Sequence, residues 1–175
     1  MGHRANVTNT TVNMIADPNS TTYAMSRSIS LGNKENWVEE HSLCMDASCK
    51  HWPNATDEEK DLLESNPYYR GEVNYINTTT VGETITWPIP KRSSHLAVLG
   101  FVGPECGRYS VAIDPQPFGA KADKMDASAK WLDSDQVLYF ASLDPRVDYV
   151  NITIIYEGDG QWFAVNSINY QTAIG

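Results

Sequence analysis

The sequence predicts an all-β protein, an antiparallel β-sandwich or jelly roll with one short helix over about residues 57–65. Three observations carry this. From Gly71 onward, apolar and polar residues alternate in short runs, the period-2 pattern of a half-buried strand. Clusters of Gly, Pro and Asn punctuate those runs every ten to twenty residues. No βαβ rhythm and no long helical pattern interrupts them, which leaves antiparallel pairing as the way to satisfy the strands.

Taken in order, residues 1–36 are polar and rich in Thr, Asn and Ser. Short extended patches, "TTVNMI" (10–15) and "TYAMSRSIS" (22–30), suit edge strands or an N-terminal arm. Residues 37–55 read as loop. In "NATDEEKDLLESNP" the spacing from Thr56 to Glu59 forms a capping box, acids fill the first turn and Asn66-Pro67 stops the helix. Its acidic side reads as a solvated face. Strands are then expected over 71–77, 83–90, 94–103, 107–115, 136–143, 148–158 and 160–170. Ile85, Trp87 and Ile89 share one face, as do Tyr109, Val111 and Ile113, and Val150, Ile152 and Ile154. Residues 37–170 form one sandwich domain, and 171–175 a C-terminal tail.

Composition narrows the function classes. The chain has 175 residues, 41% of them apolar and 20% charged, as in a folded domain with a real core. The net charge of −9 and pI near 4.8 argue against nucleic acid, which demands a basic face to displace counterions. The longest apolar run, "LAVLGFVG" (96–103), is too short for a membrane span. "MGHRANVTNT" lacks the apolar stretch of a signal peptide and reads as an added start, with a leader removed upstream.

Compartment is signalled by asparagine. Asn-x-Ser/Thr acceptors occur at Asn6, Asn9, Asn19, Asn54, Asn77 and Asn151, whereas thirteen Asn among this much Ser and Thr give roughly two by chance. A secreted or cell-surface glycoprotein is the expectation, with glycans on exposed loops and edges. In an oxidising compartment, Cys44 and Cys49 of "HSLCMDASCKHWPN" read as a local disulfide. Zinc held by these two with His41 and His51 matches no common ligand spacing. Cys106 is left over, either paired with one of the other two or a buried thiol.

A resemblance appears between Tyr68 and Tyr170. "YYRGEVNYINTTTVGETITWPIP" leads into an alternating strand. "HLAVLGFVGPECGRYSVAIDP" runs strand, Gly-Pro-x-x-Gly turn, Tyr-Ser-Val strand and Asp. "VLYFASLDPRVDYVNITIIYEGDGQWFAVNSINY" places a Leu-Asp-Pro turn before a long strand and a closing strand. This block of about 100 residues resembles the galactose-binding-domain-like jelly roll of fungal secreted and cell-surface proteins. The likeness implies a non-catalytic sandwich that binds glycans through loops at one end, in some members with a structural calcium. The Cys44–Cys49 loop and the helix depart from that pattern.

Sugar recognition calls for an aromatic face against the pyranose and polar side chains to read hydroxyls. Aromatics in loops therefore stand out: Trp52, Tyr68 and Tyr69 with Arg70 beside them, and Trp131 near Asp133. Each also suits a loop anchor packed on the core. Trp87 and Trp162 lie in strand patterns and read as core, with Trp37 undecided. Asp114, Asp123 and Asp126, or Asp133 and Asp135, offer oxygens to calcium without the spacing of a known calcium loop, so no cofactor is assigned. No Gly-x-Ser-x-Gly, His-Glu-x-x-His or phosphate-loop motif is present, and no catalytic residue is assigned. Glu72 with Glu83 as a carboxylate pair, and His41 or His95 as bases, qualify by residue type alone. The expected function is glycan binding by a lectin-like module. The alternative is an adhesion or sensor ectodomain that binds a cell-surface protein, and a carbohydrate-active enzyme comes third.

Overall fold

A computed structural model describes residues 6–14, 29–45, 48–50, 57, 58, 61, 69–117 and 124–174. Twelve strands are described: β1 (Asn6–Asn13), β2 (Ser30–Leu31), β3 (Val38–Met45), β4 (Ser48–Lys50), β5 (Tyr69–Thr78), β6 (Thr84–Pro88), β7 (Ser93–Val102), β8 (Arg108–Asp114), β9 (Met125–Asp126), β10 (Asp133–Ser142), β11 (Asn151–Gly158) and β12 (Phe163–Ile174). They form two antiparallel sheets, so the protein is the β-sandwich its sequence predicts. One sheet runs β10-β7-β12-β5-β3-β4, with β1 also paired to β12, and the other runs β2-β6-β11-β8-β9.

Alternation explains the packing. In the five-stranded sheet Ile85 and Trp87 of β6, Tyr109, Val111 and Ile113 of β8, and Ile152, Ile154 and Tyr156 of β11 are buried, and Ile89 beyond β6 is buried with them. Val150 does not join the third set as expected. It precedes β11 and is 59% exposed, and Tyr156 completes that row instead. Rings from the other sheet meet these residues: Phe163 stacks on Tyr109 and Tyr156, and Tyr170 tilts against Trp87. The Tyr109 hydroxyl donates to the Leu138 carbonyl, tying β8 to β10. Trp87 is core as expected, and Trp162 is half-buried against the core.

β12 organises the seven-stranded sheet. β7 pairs along one side of it, while β5 pairs with Phe163–Val165 and β1 with Ser167–Ile174 along the other. Residues 171–174, expected as a tail, therefore run on within β12. A register shift between Val165 and Ser167 adds a residue. Val165 and Ile168 thus both face the core, while Ala164, Asn166, Asn169 and Gln171 face away from the other sheet. Gly100 of β7 lies at this shift, where a Cβ would run into the Ala164 carbonyl.

The outward face of this sheet is concave. Tyr75 of β5 and Phe101 of β7 are both buried there, with ring centroids 4.5 Å apart over the buried Ala164. Asn166 spans the same hollow, donating Nδ2 to the Asn74 carbonyl and accepting the Asp135 N–H. β4, at one end of the strand order, comes near β10 at the other. One end of the hollow is thus filled.

Two further expectations are corrected or limited. Residues 37–55, read as loop, include the hairpin β3–β4, in which Cys44 faces Cys49 across the strands. Of the helix expected over about 57–65, Asp57, Glu58 and Asp61 are helical and exposed, and the remainder lies outside the described residues. Cys106 is a free, buried thiol.

Candidate functional site

The open end of the concave face is built from four adjacent strands. Register places Asn9 of β1, Gln171 of β12, His95 of β7 and Ser142 of β10 in one row. The next outward row is Thr11, Asn169, Ala97 and Phe140. Residues opposite one another in antiparallel pairs share a face, so these two rows form one surface. They enclose a cleft of about 480 Å³, lined by Asn9, Thr10, Thr11, His95, Leu96, Ala97, Phe140, Asn169, Tyr170 and Gln171. That volume suits a small ligand or a few sugar rings.

Phe140 is the aromatic of this surface, 57% exposed despite its strand position, and the His95 ring lies 5.8 Å away at a tilt of 35°. Ser94 Oγ sits 3.3 Å from His95 Nδ1 and steadies the ring. Exposing a phenyl group costs apolar hydration, which a ligand face laid against it recovers. Asn169 Oδ1 is buried and has no hydrogen-bond partner among the described residues. A buried carbonyl without a donor is uncommon, and this one is closed to solvent. The described lining carries neither carboxylate nor ammonium nor guanidinium. It presents amides, hydroxyls, an imidazole and an aromatic face.

Of the residues singled out from sequence, His95 and the acceptor Asn9 line the cleft, while Trp131 and Asp133 do not. Trp131 is 71% exposed in the segment before β10, with Lys130 Nζ 5.4 Å from its ring centroid. Asp133 begins β10 opposite Val102, its Oδ1 accepting the Ser134 N–H and its Oδ2 the Gln136 Nε2–H. Seven residues of strand separate Asp133 from Phe140, roughly 20 Å. Trp131 and Asp133 are therefore near each other and remote from the cleft. Tyr69 and Arg70 open β5 rather than a loop, and their side chains lie outside the described ones. Trp52 and Tyr68 also fall outside the described residues, as do Asn19, Asn54 and Asp123.

Of the acceptor asparagines with described side chains, Asn9 is exposed, while Asn77 and Asn151 are half-buried in strands paired on both sides. Asn6 lies in β1, its side chain outside the described ones. Cys44 and Cys49 are opposed in backbone register, with the sulfurs outside the described atoms. Among the described residues no three His, Cys, Asp or Glu side chains converge as a metal site. Asp126 accepts the Ser128 N–H at 2.8 Å, which holds its carboxyl below the usual range. Glu83, offered as a carboxylate for catalysis, instead receives the Asn36 amide at 2.8 Å, the Asn33 N–H at 2.9 Å and the Trp37 indole N–H at 3.1 Å.

The cleft residues carried little signal in the sequence. Phe140 sits in "VLYFAS", whose continuous apolar run suggests a strand buried on both faces. Asn9, Asn169 and Gln171 become neighbours only when β1 and β12 pair.

No family model matches the chain, and no curated protein matches it. Among solved structures, the K2 cleaved adhesin domain of Lys-gingipain is similar over 93% of this chain and 99% of its own, with 8% identity and a TM-score of 0.48. The CBM36-1 domain of a multidomain xylanase from the hindgut metagenome of Trinervitermes trinervoides is similar over 79% of this chain and 99% of its own, with 13% identity and a TM-score of 0.38. The C-terminal CBM6 of LamC, a laminarinase of Zobellia galactanivorans, is similar over 81% of this chain and 98% of its own, with 11% identity and a TM-score of 0.35. Every one of these scores is below 0.5, and the reading of the cleft rests on its own residues.

Proposed function

We propose that the protein is a non-catalytic glycan-binding module that works outside the cell, with its site in the concave cleft. The observation that carries this is a Phe140 ring 57% exposed in a cleft lined largely by neutral polar side chains. A pyranose offers an apolar C–H face to the ring and its hydroxyls to the polar groups around it. Asn9, Thr11 and Gln171 supply further donors and acceptors, and His95 can donate or accept according to its tautomer. Six acceptor sequons support the extracellular setting.

The test is a panel of glucans, mannans, chitin fragments and galactosides, read by calorimetry with and without chelator. Saturable binding that falls at least tenfold in Phe140→Ala and in Gln171→Ala, with both variants folding cooperatively, is the expected result. Trp131→Ala is expected to leave it unchanged. Binding lost in Trp131→Ala but kept in Phe140→Ala moves the site to the sandwich end. Silence across the panel overturns the glycan reading and favours adhesion to a protein partner, for which Trp131 and the exposed Val137 and Phe140 of β10 offer apolar contact.

A further inference from the structure

We infer that an N-linked glycan on Asn9 occupies the cleft as a tethered ligand and competes with external glycans. This rests on the glycan-binding and extracellular readings above. Asn9 begins the sequon Asn9-Thr10-Thr11, and its exposed side chain lines the cleft. Thr11, which completes the sequon, points from the same face of the strand. Among the described strands β1 pairs with β12 alone, so the acceptor sits on a strand at the border of the sheet.

The geometry makes the attached sugars cleft neighbours. Gln171 lies directly across from Asn9, and His95 across from Gln171. With strands about 4.8 Å apart, β7 is roughly 10 Å from β1 and β10 roughly 14 Å. The first sugars of an N-linked glycan cover that distance, over Gln171 toward His95 and Phe140. A ligand held on so short a tether acts at an effective concentration in the millimolar range. Modest intrinsic affinity is then enough to keep the cleft filled. Asn77 and Asn151 lack this placement: Asn77 adjoins the filled end of the hollow, across from Ala164, and Asn151 lies on the other sheet.

The experiment compares the full chain made through a eukaryotic secretory route, the same sample after enzymatic removal of N-glycans, and the chain made in bacteria. Glycopeptide mass spectrometry reads Asn9 occupancy. Peptide-resolved labelling reads the cleft without any added ligand, with diethylpyrocarbonate for His95 and hydroxyl radicals for Phe140. The expected result is an occupied Asn9 and labelling of both residues reduced at least threefold, restored once the glycan is removed. External glycan binding, where the unmodified chain shows it, weakens at least tenfold in the modified form. An unmodified Asn9, or a modified one with equal labelling, overturns the inference. So does equal binding by both forms, which leaves the glycan-binding reading intact. Shielding without binding by the unmodified chain supports the tethered glycan and sinks the free-ligand function instead.

Discussion

Glu83 shows how a residue that qualifies for chemistry by type is taken up by structure. Its carboxylate closes the 3₁₀ turn Lys34–Asn36 onto the start of β6, accepting from Asn36, Asn33 and Trp37. Those donors, the Asn36 amide foremost, hold its pKa below the ordinary 4.5. A carboxyl whose folded pKa is depressed stabilises the fold above its unfolded value and loses that contribution as pH falls through the folded one. Thermal melts of wild type and Glu83→Gln are therefore expected to differ most at neutral pH and to converge in acid, as pH falls through the depressed folded pKa. Cys106 makes a complementary case. Burial, with the nearby Glu105 charge second, pushes its thiol up to about 12, so iodoacetamide should spare it in the native protein and modify it fully in denaturant. Phe163 is the packing counterpart, stacked on two tyrosines of the opposite sheet and 1% exposed. Phe163→Ala is expected to cost about 3–5 kcal/mol, a fall in Tm of roughly 10 °C by calorimetry. Trp87 was legible as core because its neighbours alternate around it. Phe140 was not, because its exposure depends on which strands stand beside β10.

At the level of elements, the strands with clean alternation were legible almost to their ends. Those expected over 83–90, 94–103 and 107–115 are observed as β6, β7 and β8. β3 was missed because "VEEHSLCM" mixes acids, histidine and serine into both of its faces, leaving no apolar period to read. Its pairing comes from β5, which lies distant in sequence. The β3–β4 hairpin also bears on the cysteines. Met45 and Ser48 face each other at the end of the ladder, and Cys44 and Cys49 face each other next along it. Directly opposed positions of an antiparallel pair have Cα atoms about 4.5–5.5 Å apart, within the span of a disulfide. In protein made through a secretory route, these two thiols are expected to resist alkylation after denaturation until a reductant is added. Alkylation of all three cysteines without reductant overturns that pairing.

Across the whole molecule, the separation of charge from the cleft yields a prediction that tests the site and the ligand class together. The chain carries a net charge of −9, yet among the described cleft residues His95 is the sole titratable side chain apart from Tyr170. Sandwich architecture was legible from strand spacing, but this neutrality was not, since it depends on which face of four strands the acids avoid. A neutral glycan bound there has no charge to screen. Raising salt from about 0.01 M to about 1 M shortens the Debye length from about 30 Å to about 3 Å, and affinity for a neutral oligosaccharide is expected to change less than about twofold. An anionic polysaccharide meets repulsion from the surrounding acids, so its binding is expected to strengthen over the same range. Calorimetric titrations with matched neutral and uronic-acid oligosaccharides measure both slopes. Neutral binding that collapsed with salt would mean that charged groups of the protein hold the ligand, a role the carboxylate-, ammonium- and guanidinium-free described lining of this cleft does not supply, and the site would have to lie on another surface.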